Sequence, residues 1–125
     1  MKSILAGLAC ITVLGSLTHA ESPWTVITLE GTAPYYRPAV VTVPSYTPIQ
    51  WLNPTASPHS IQHDACSSQE ACAFDSGALA PDAGYVLPGL SPGRYDYHCA
   101  LHPVMRGTVF VIDKALWRQP GRDGP

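Results

Sequence analysis

The stretch Cys99-Ala100-Leu101-His102-Pro103-Val104-Met105 lies between the aromatic-rich segment Arg94-Tyr95-Asp96-Tyr97-His98 and the apolar run Gly107-Thr108-Val109-Phe110-Val111-Ile112. Aromatic and β-branched residues favour strands, so the whole reads as a strand over residues 94–99, a short loop, and a final strand over residues 107–112. That final strand is apolar on both faces, which predicts a central position in its sheet. The loop carries a thiol, an imidazole and a thioether, each three residues after the last. Such spacing lets all three donors point to one side of a tight turn and leaves a fourth corner for a residue from elsewhere.

His59, inside Ser57-Pro58-His59-Ser60-Ile61, is the candidate for that corner, because it too stands at the edge of an apolar, strand-like segment. His59, Cys99, His102 and Met105 then form a set of candidate metal ligands. Soft sulfur combined with imidazole selects copper over magnesium or calcium, and a His2Cys plane with a weak axial Met is the blue-copper electron-transfer arrangement. Zinc favours a closed tetrahedral set without a thioether. Each residue taken singly has an ordinary reading: a Met or His near a strand end packs or lies on the surface, and a Cys in an exported protein is half of a disulfide. The spacing of all four is what points to a single copper ion.

At 125 residues the chain is one domain's worth, and its first 20 residues read as a secretory signal peptide. Lys2 precedes an apolar run over residues 4–17, and Thr18-His19-Ala20 offers small residues for cleavage after Ala20. The run is short for a membrane span, so no stable membrane insertion is expected after cleavage. Lipidation at Cys10 is discounted, since Gly7 stands where such sites carry Leu. The expected organisation is a signal peptide over 1–20, a β domain over 21–113 and a loose tail over 114–125, with Trp117 as a possible docking point. Three cysteines remain after cleavage, and in an oxidising compartment two should pair. Cys66 and Cys72 enclose only Ser67-Ser68-Gln69-Glu70-Ala71 and are the local pair. Closing so short a loop contributes about 2.4 kcal/mol in the chain-entropy account. Cys99 is then the free thiol, which agrees with its role as ligand.

Without Lys2, six basic residues face nine acidic ones, and nothing suggests a nucleic-acid binder. Asp64, Glu70, Asp75 and Asp82 fall in a stretch with no Lys or Arg between Arg37 and Arg94. A solvated loop is the preferred reading of that asymmetry, a docking face the other.

Residues 24–30 alternate as a first strand, with Thr25, Ile27 and Leu29 on one face. Tyr35-Tyr36-Arg37-Pro38 reads as an edge piece, because Pro cannot donate to a ladder. Further strands are expected over 40–43, 49–53, 59–63 and 85–87. Residues 64–83 should be mostly loop, with one short strand near Ala73-Phe74. Seven to eight short strands, frequent turn signals and no amphipathic helical stretch predict an all-β Greek-key β-sandwich.

Trp51-Leu52-Asn53, Pro58-His59, Gly93-Arg94-Tyr95-Asp96-Tyr97-His98-Cys99 and His102-Pro103-Val104-Met105-Arg106-Gly107 together resemble the cupredoxins. The similarity runs from about Tyr35 to Ile112, and the C-x2-H-x2-M loop is its most specific element. The resemblance implies a cupredoxin-like sandwich and a small periplasmic blue-copper carrier with His59, Cys99, His102 and Met105 in the ligand positions. Its partners would be periplasmic redox proteins, a dehydrogenase or oxidase as donor and a cytochrome c or similar as acceptor, met by a monomer. Two departures stand out: Ser60 occupies a place where many relatives carry Asn, and the Cys66/Cys72 insertion falls outside the usual pattern.

His63 and His98 are read as surface or partly packed residues, since a second, catalytic copper would need more histidines than remain. No nucleophile–base pair or paired-carboxylate motif stands out, so no enzyme is expected. The alternative is a periplasmic copper chaperone or store. Such a protein usually exposes a Met- or His-rich motif, and residues 21–125 hold a single Met.

Overall fold

The computed structural model describes residues 24–117 together with Gly15. The expected signal peptide, Cys10 and most of the expected tail lie outside the described residues. Eight strands follow in order: β1 (Thr25–Leu29), β2 (Tyr36–Arg37), β3 (Val40–Pro44), β4 (Ile49–Leu52), β5 (Gln62–His63), β6 (Gly84–Leu87), β7 (Gly93–His98) and β8 (Arg106–Ile112). They form two mixed four-stranded sheets, ordered β2-β1-β4-β6 and β3-β8-β7-β5. The β1/β4 and β3/β8 pairs are parallel and the others antiparallel. This is the expected all-β sandwich, with β8 central in its sheet. Among the described residues no helix is long and apolar enough to cross a membrane.

The alternation read from the sequence sets what faces inward. Ile27 and Leu29 of β1, Ile49 and Trp51 of β4, Tyr97 of β7, and Val109 and Val111 of β8 are all buried between the sheets. Phe110, the outward residue of β8, lies beneath the Arg94 guanidinium at 5.4 Å. Tyr97 faces Gly107 in register. A Cβ at that glycine would come within 2.3 Å of the Tyr97 ring, so the bare backbone at 107 makes room for the aromatic side chain. Trp51 Nε1–H donates to the Tyr97 hydroxyl at 3.2 Å, which joins the two sheets through the core and satisfies two polar atoms that burial would otherwise leave unpaired.

Two expectations need correction. The strand expected over 59–63 is a ladder only at Gln62–His63. Upstream of it the backbone donors are taken by side chains, Ser60 N–H by Cys99 Sγ and Ile61 N–H by Ser76 Oγ, and His59 makes an isolated bridge with Leu79. The short strand expected near Ala73-Phe74 is also absent; the pairing there is a single bridge between Gln62 and Asp75. Beyond β8, residues Lys114–Leu116 form a 3-10 turn. It is capped by Asp113, and its first amide donates to Ser45 Oγ.

Candidate metal centre

Inward alternation along β7 runs Tyr95, Tyr97 and then Cys99, so the thiol is delivered to the space between the sheets and is fully buried. Beyond it the chain makes two successive tight turns, His102 N–H to the Cys99 carbonyl at 3.3 Å and Met105 N–H to the His102 carbonyl at 2.9 Å. A turn of this kind returns the chain every three residues, which is why the x2 spacing places Cys99, His102 and Met105 on one side. Cys99 N–H then donates to the Met105 carbonyl at 3.1 Å and closes the neck of the loop.

His59 arrives from a second loop, and Asn53 fixes that loop. The buried Asn53 amide donates to the carbonyls of Ser57, Leu79 and Ala80, while its oxygen accepts from the Thr55 amide and hydroxyl. His59 and Leu79 exchange two backbone bonds of 3.1 and 2.6 Å, so the imidazole is carried on a segment pinned at both ends.

The result is a triangle of donors: Nδ1 of His59 and Nδ1 of His102 are 3.1 Å apart, and Cys99 Sγ lies 3.9 and 3.8 Å from them. The in-plane point equidistant from all three is about 2.1 Å from each, against about 2.0–2.1 Å for imidazole and about 2.3 Å for thiolate on a divalent zinc ion. Three donors of these types, all within 4.8 Å of one another, therefore fit a first-row metal ion. Met105 is buried and lines the same 380 Å³ cavity as His59 and His102, with Tyr35, Thr55 and Val104 also on its wall. His102 is exposed, flanked by the exposed apolar Leu101 and Val104. Burial, with a smaller contribution from the neighbouring His102, depresses the pKa of His59 below its ordinary value, which keeps that ring neutral and available as a donor.

Ser60 joins the loop of His59 to the loop of Cys99. Its N–H donates to Cys99 Sγ at 3.2 Å, its hydroxyl lies 3.9 Å from the same sulfur, and its Oγ accepts from Ala100 N–H at 2.7 Å. The Ser60 carbonyl in turn accepts from the buried Tyr36 hydroxyl at 2.8 Å. Hydrogen bonds to a ligating sulfur both orient it and tune the metal it holds.

Cys66 and Cys72 are joined in a disulfide, and Cys99 is free. His63 and His98 lie apart from the donor triangle. His63 stacks on Phe74 and accepts the Ala73 amide at Nδ1, and His98 contacts Asp64 through Nδ1 at 2.6 Å. Asn53, Tyr36 and Asp64 carry structural roles around the site that the sequence reading did not assign. Asn53 followed by Pro54 and Thr55 is a turn signal, but nothing in the sequence marks the other two.

No protein-family model matches the chain. Amicyanin of Paracoccus denitrificans is 38% identical over 63 residues, 50% of this chain and 47% of that protein. Among solved structures, a proline-to-phenylalanine variant of amicyanin in its reduced state is 30% identical, with a TM-score of 0.60 over 70% of this chain and 81% of that one. A purple cupredoxin from Nitrosopumilus maritimus is 26% identical, with a TM-score of 0.61 over 70% of this chain and 99% of that one. The chain belongs to the cupredoxins. It spans about half the length of the curated relatives it matches, between 47% and 57% of each. Those relatives are amicyanins, and several of the solved amicyanins it resembles are described as Cu(I) forms.

Proposed function

We propose that the chain is a type 1 copper electron carrier in which His59 Nδ1, Cys99 Sγ and His102 Nδ1, together with the thioether of Met105, would hold one copper ion. The observation that carries this reading is the donor triangle, whose centre stands at metal–ligand distance from two imidazoles and one thiol. Bound copper would supply the one-electron couple. The protein's part is to hold its donors still, so that little has to rearrange when the charge changes. The neck bond from Cys99 to Met105, the Ser60 contacts and the Asn53 hub all serve that end. His102 brings its ring to the surface in an apolar setting, and an electron would enter or leave there.

The location we infer is the periplasm, after removal of residues 1–20. The apolar run behind Lys2 and the disulfide between Cys66 and Cys72 both support an exported protein. Residues 21–113 would be the working domain and 114–125 its tail. The partners would be periplasmic redox proteins, a dehydrogenase or oxidase on one side and a cytochrome c or similar on the other, each met by a monomer. The direct test is metal analysis of the purified protein together with its visible spectrum. One copper per chain and an intense thiolate-to-Cu(II) band are expected, both diminished in Cys99→Ser. A blue Cys99→Ser variant would refute the ligand assignment.

A further inference from the structure

Gln62 of β5, His98 of β7 and Arg106 of β8 stand side by side in register across three neighbouring strands. Asp64 opens the 3-10 turn Asp64–Ser67 directly after β5, and its carboxylate lies back over that row. Oδ1 accepts from His98 Nδ1–H at 2.6 Å, and Oδ2 accepts from the Arg106 guanidinium. An ionised carboxylate only accepts hydrogen bonds, so both partners must be donors. His98 is the residue immediately before Cys99, and Arg106 is the residue immediately after Met105. One carboxylate therefore bridges the two stems of the loop that carries three of the four ligands.

Among the described residues no other carboxylate is bonded to His98 or Arg106 themselves; Asp96, two residues back along β7, accepts from the Thr108 hydroxyl of β8 at 2.7 Å, further from the loop. The remaining Arg–Asp pair on this face, Arg94 with Asp96, joins two residues of β7. The segment that presents Asp64 is itself anchored. Cys66 lies in the same turn and is disulfide-bonded to Cys72, and Phe74 just beyond packs on Trp51 and Tyr97 in the core.

We propose that Asp64 is a positioning residue for the metal loop: by tying His98 to Arg106 it holds the neck of residues 99–105 closed and so keeps the donor triangle from spreading. The proposal rests on the carrier reading for its purpose but not for its geometry. Arg106 is 56% and Asp64 35% exposed, and exposed ion pairs add little to global stability because water screens them. Opening of the loop is a local event with its own free energy, and the bridge acts on that event.

The test is amide hydrogen exchange on the copper-loaded full chain, comparing Asp64→Ala and Asp64→Asn with Arg94→Gln, which removes an ion pair made within β7 and leaves His98, Arg106 and Asp64 untouched. In Asp64→Ala, exchange at Cys99, His102 and Met105 should quicken by up to about fivefold, the most that losing a partly exposed pair allows. Asp64→Asn, which keeps an acceptor, should lie between that variant and the parent. Exchange at Val109 should stay unchanged, as should the loop amides in Arg94→Gln. Copper should also pass to a chelator faster from Asp64→Ala than from the parent. Loop exchange that did not move, or that rose only in step with Val109, would overturn the proposal. The exchange measurement is equally informative without metal, so a chain that took up no copper would refute the carrier reading while these amides still decided the clamp.

Discussion

The Ser60 amide donates to Cys99 Sγ at 3.2 Å across the two loops that bring His59 and Cys99 together, while the Ser60 hydroxyl oxygen holds the amide of Ala100, the very next residue, at 2.7 Å. A single small residue thus satisfies the sulfur and the backbone that follows it. Ser60→Ala keeps the first bond, because it is made by the main chain, and loses the second. The Ala100 amide would then lack a partner, at a cost of about 1 kcal/mol. Chemical denaturation should show that loss while the visible band persists. A variant as stable as the parent would mean that water replaces the hydroxyl.

Trp51 and Tyr97 carry the hydrogen bond that joins the sheets. Trp51→Phe would leave the buried Tyr97 hydroxyl without its donor and open space beside Phe74 and Tyr85, whose rings lie 5.9 Å from Trp51. The expected loss is about 2–4 kcal/mol, combining an orphaned polar group with a small cavity. Tyr97→Phe alone should cost less, and in the double variant the losses should fall short of their sum. Strictly additive losses would show that the bond contributes nothing.

Asn53→Ala removes five hydrogen bonds around the turn that leads to His59, leaving the Thr55 amide without its acceptor and the carbonyls of Ser57, Leu79 and Ala80 with one donor fewer each. A loss of about 2–4 kcal/mol is expected, with copper held less firmly because His59 rides on the loosened segment. Unfolding and copper-transfer measurements made together would separate the two effects. Loss of stability with unchanged copper retention would show that His59 is held by its bridge to Leu79 alone.

Acid should weaken the fold through Asp75 and Asp96. A hydrogen bond from the Gln62 amide holds Asp75 below the ordinary 3.8, and the Thr108 hydroxyl does the same for Asp96. The unfolded chain therefore takes up protons first as pH falls, so this stability is complete above about 3.8 and is lost as pH drops through the folded values. Both groups are substantially exposed, and the effect is small and reduced by salt. At the other end, burial raises Tyr36 and Tyr97 far above the ordinary 10, so the fold loses stability as pH rises beyond that value. Tyrosinate absorbance should show these two ionising only as the protein unfolds.

Peptide mapping should recover Cys66 linked to Cys72, as in the structure. Cys99, buried and free, should resist alkylation in the copper-loaded protein and react once the metal is withdrawn. Equal reactivity in both states would mean that the thiol is not a ligand.

The spacing C-x2-H-x2-M, the odd cysteine left by the Cys66/Cys72 pair and the alternation of Ile27/Leu29 and Ile49/Trp51 were all legible in the sequence. Each is a local property: a three-residue turn returns a donor to the same side, and period-two patterning separates the two faces of a strand. Tertiary structure alone decided the rest. His59, Ser60 and Ile61 look like strand, yet their amides and carbonyls are claimed by Leu79, Cys99 and Ser76, residues distant in sequence whose approach no local pattern encodes. The same holds for Tyr36 reaching the Ser60 carbonyl and for Asp64 lying across His98 and Arg106. Which donors the backbone gives to its own ladder and which to a side chain is settled only when the two sheets pack, because the competing partners differ little in energy and proximity chooses between them.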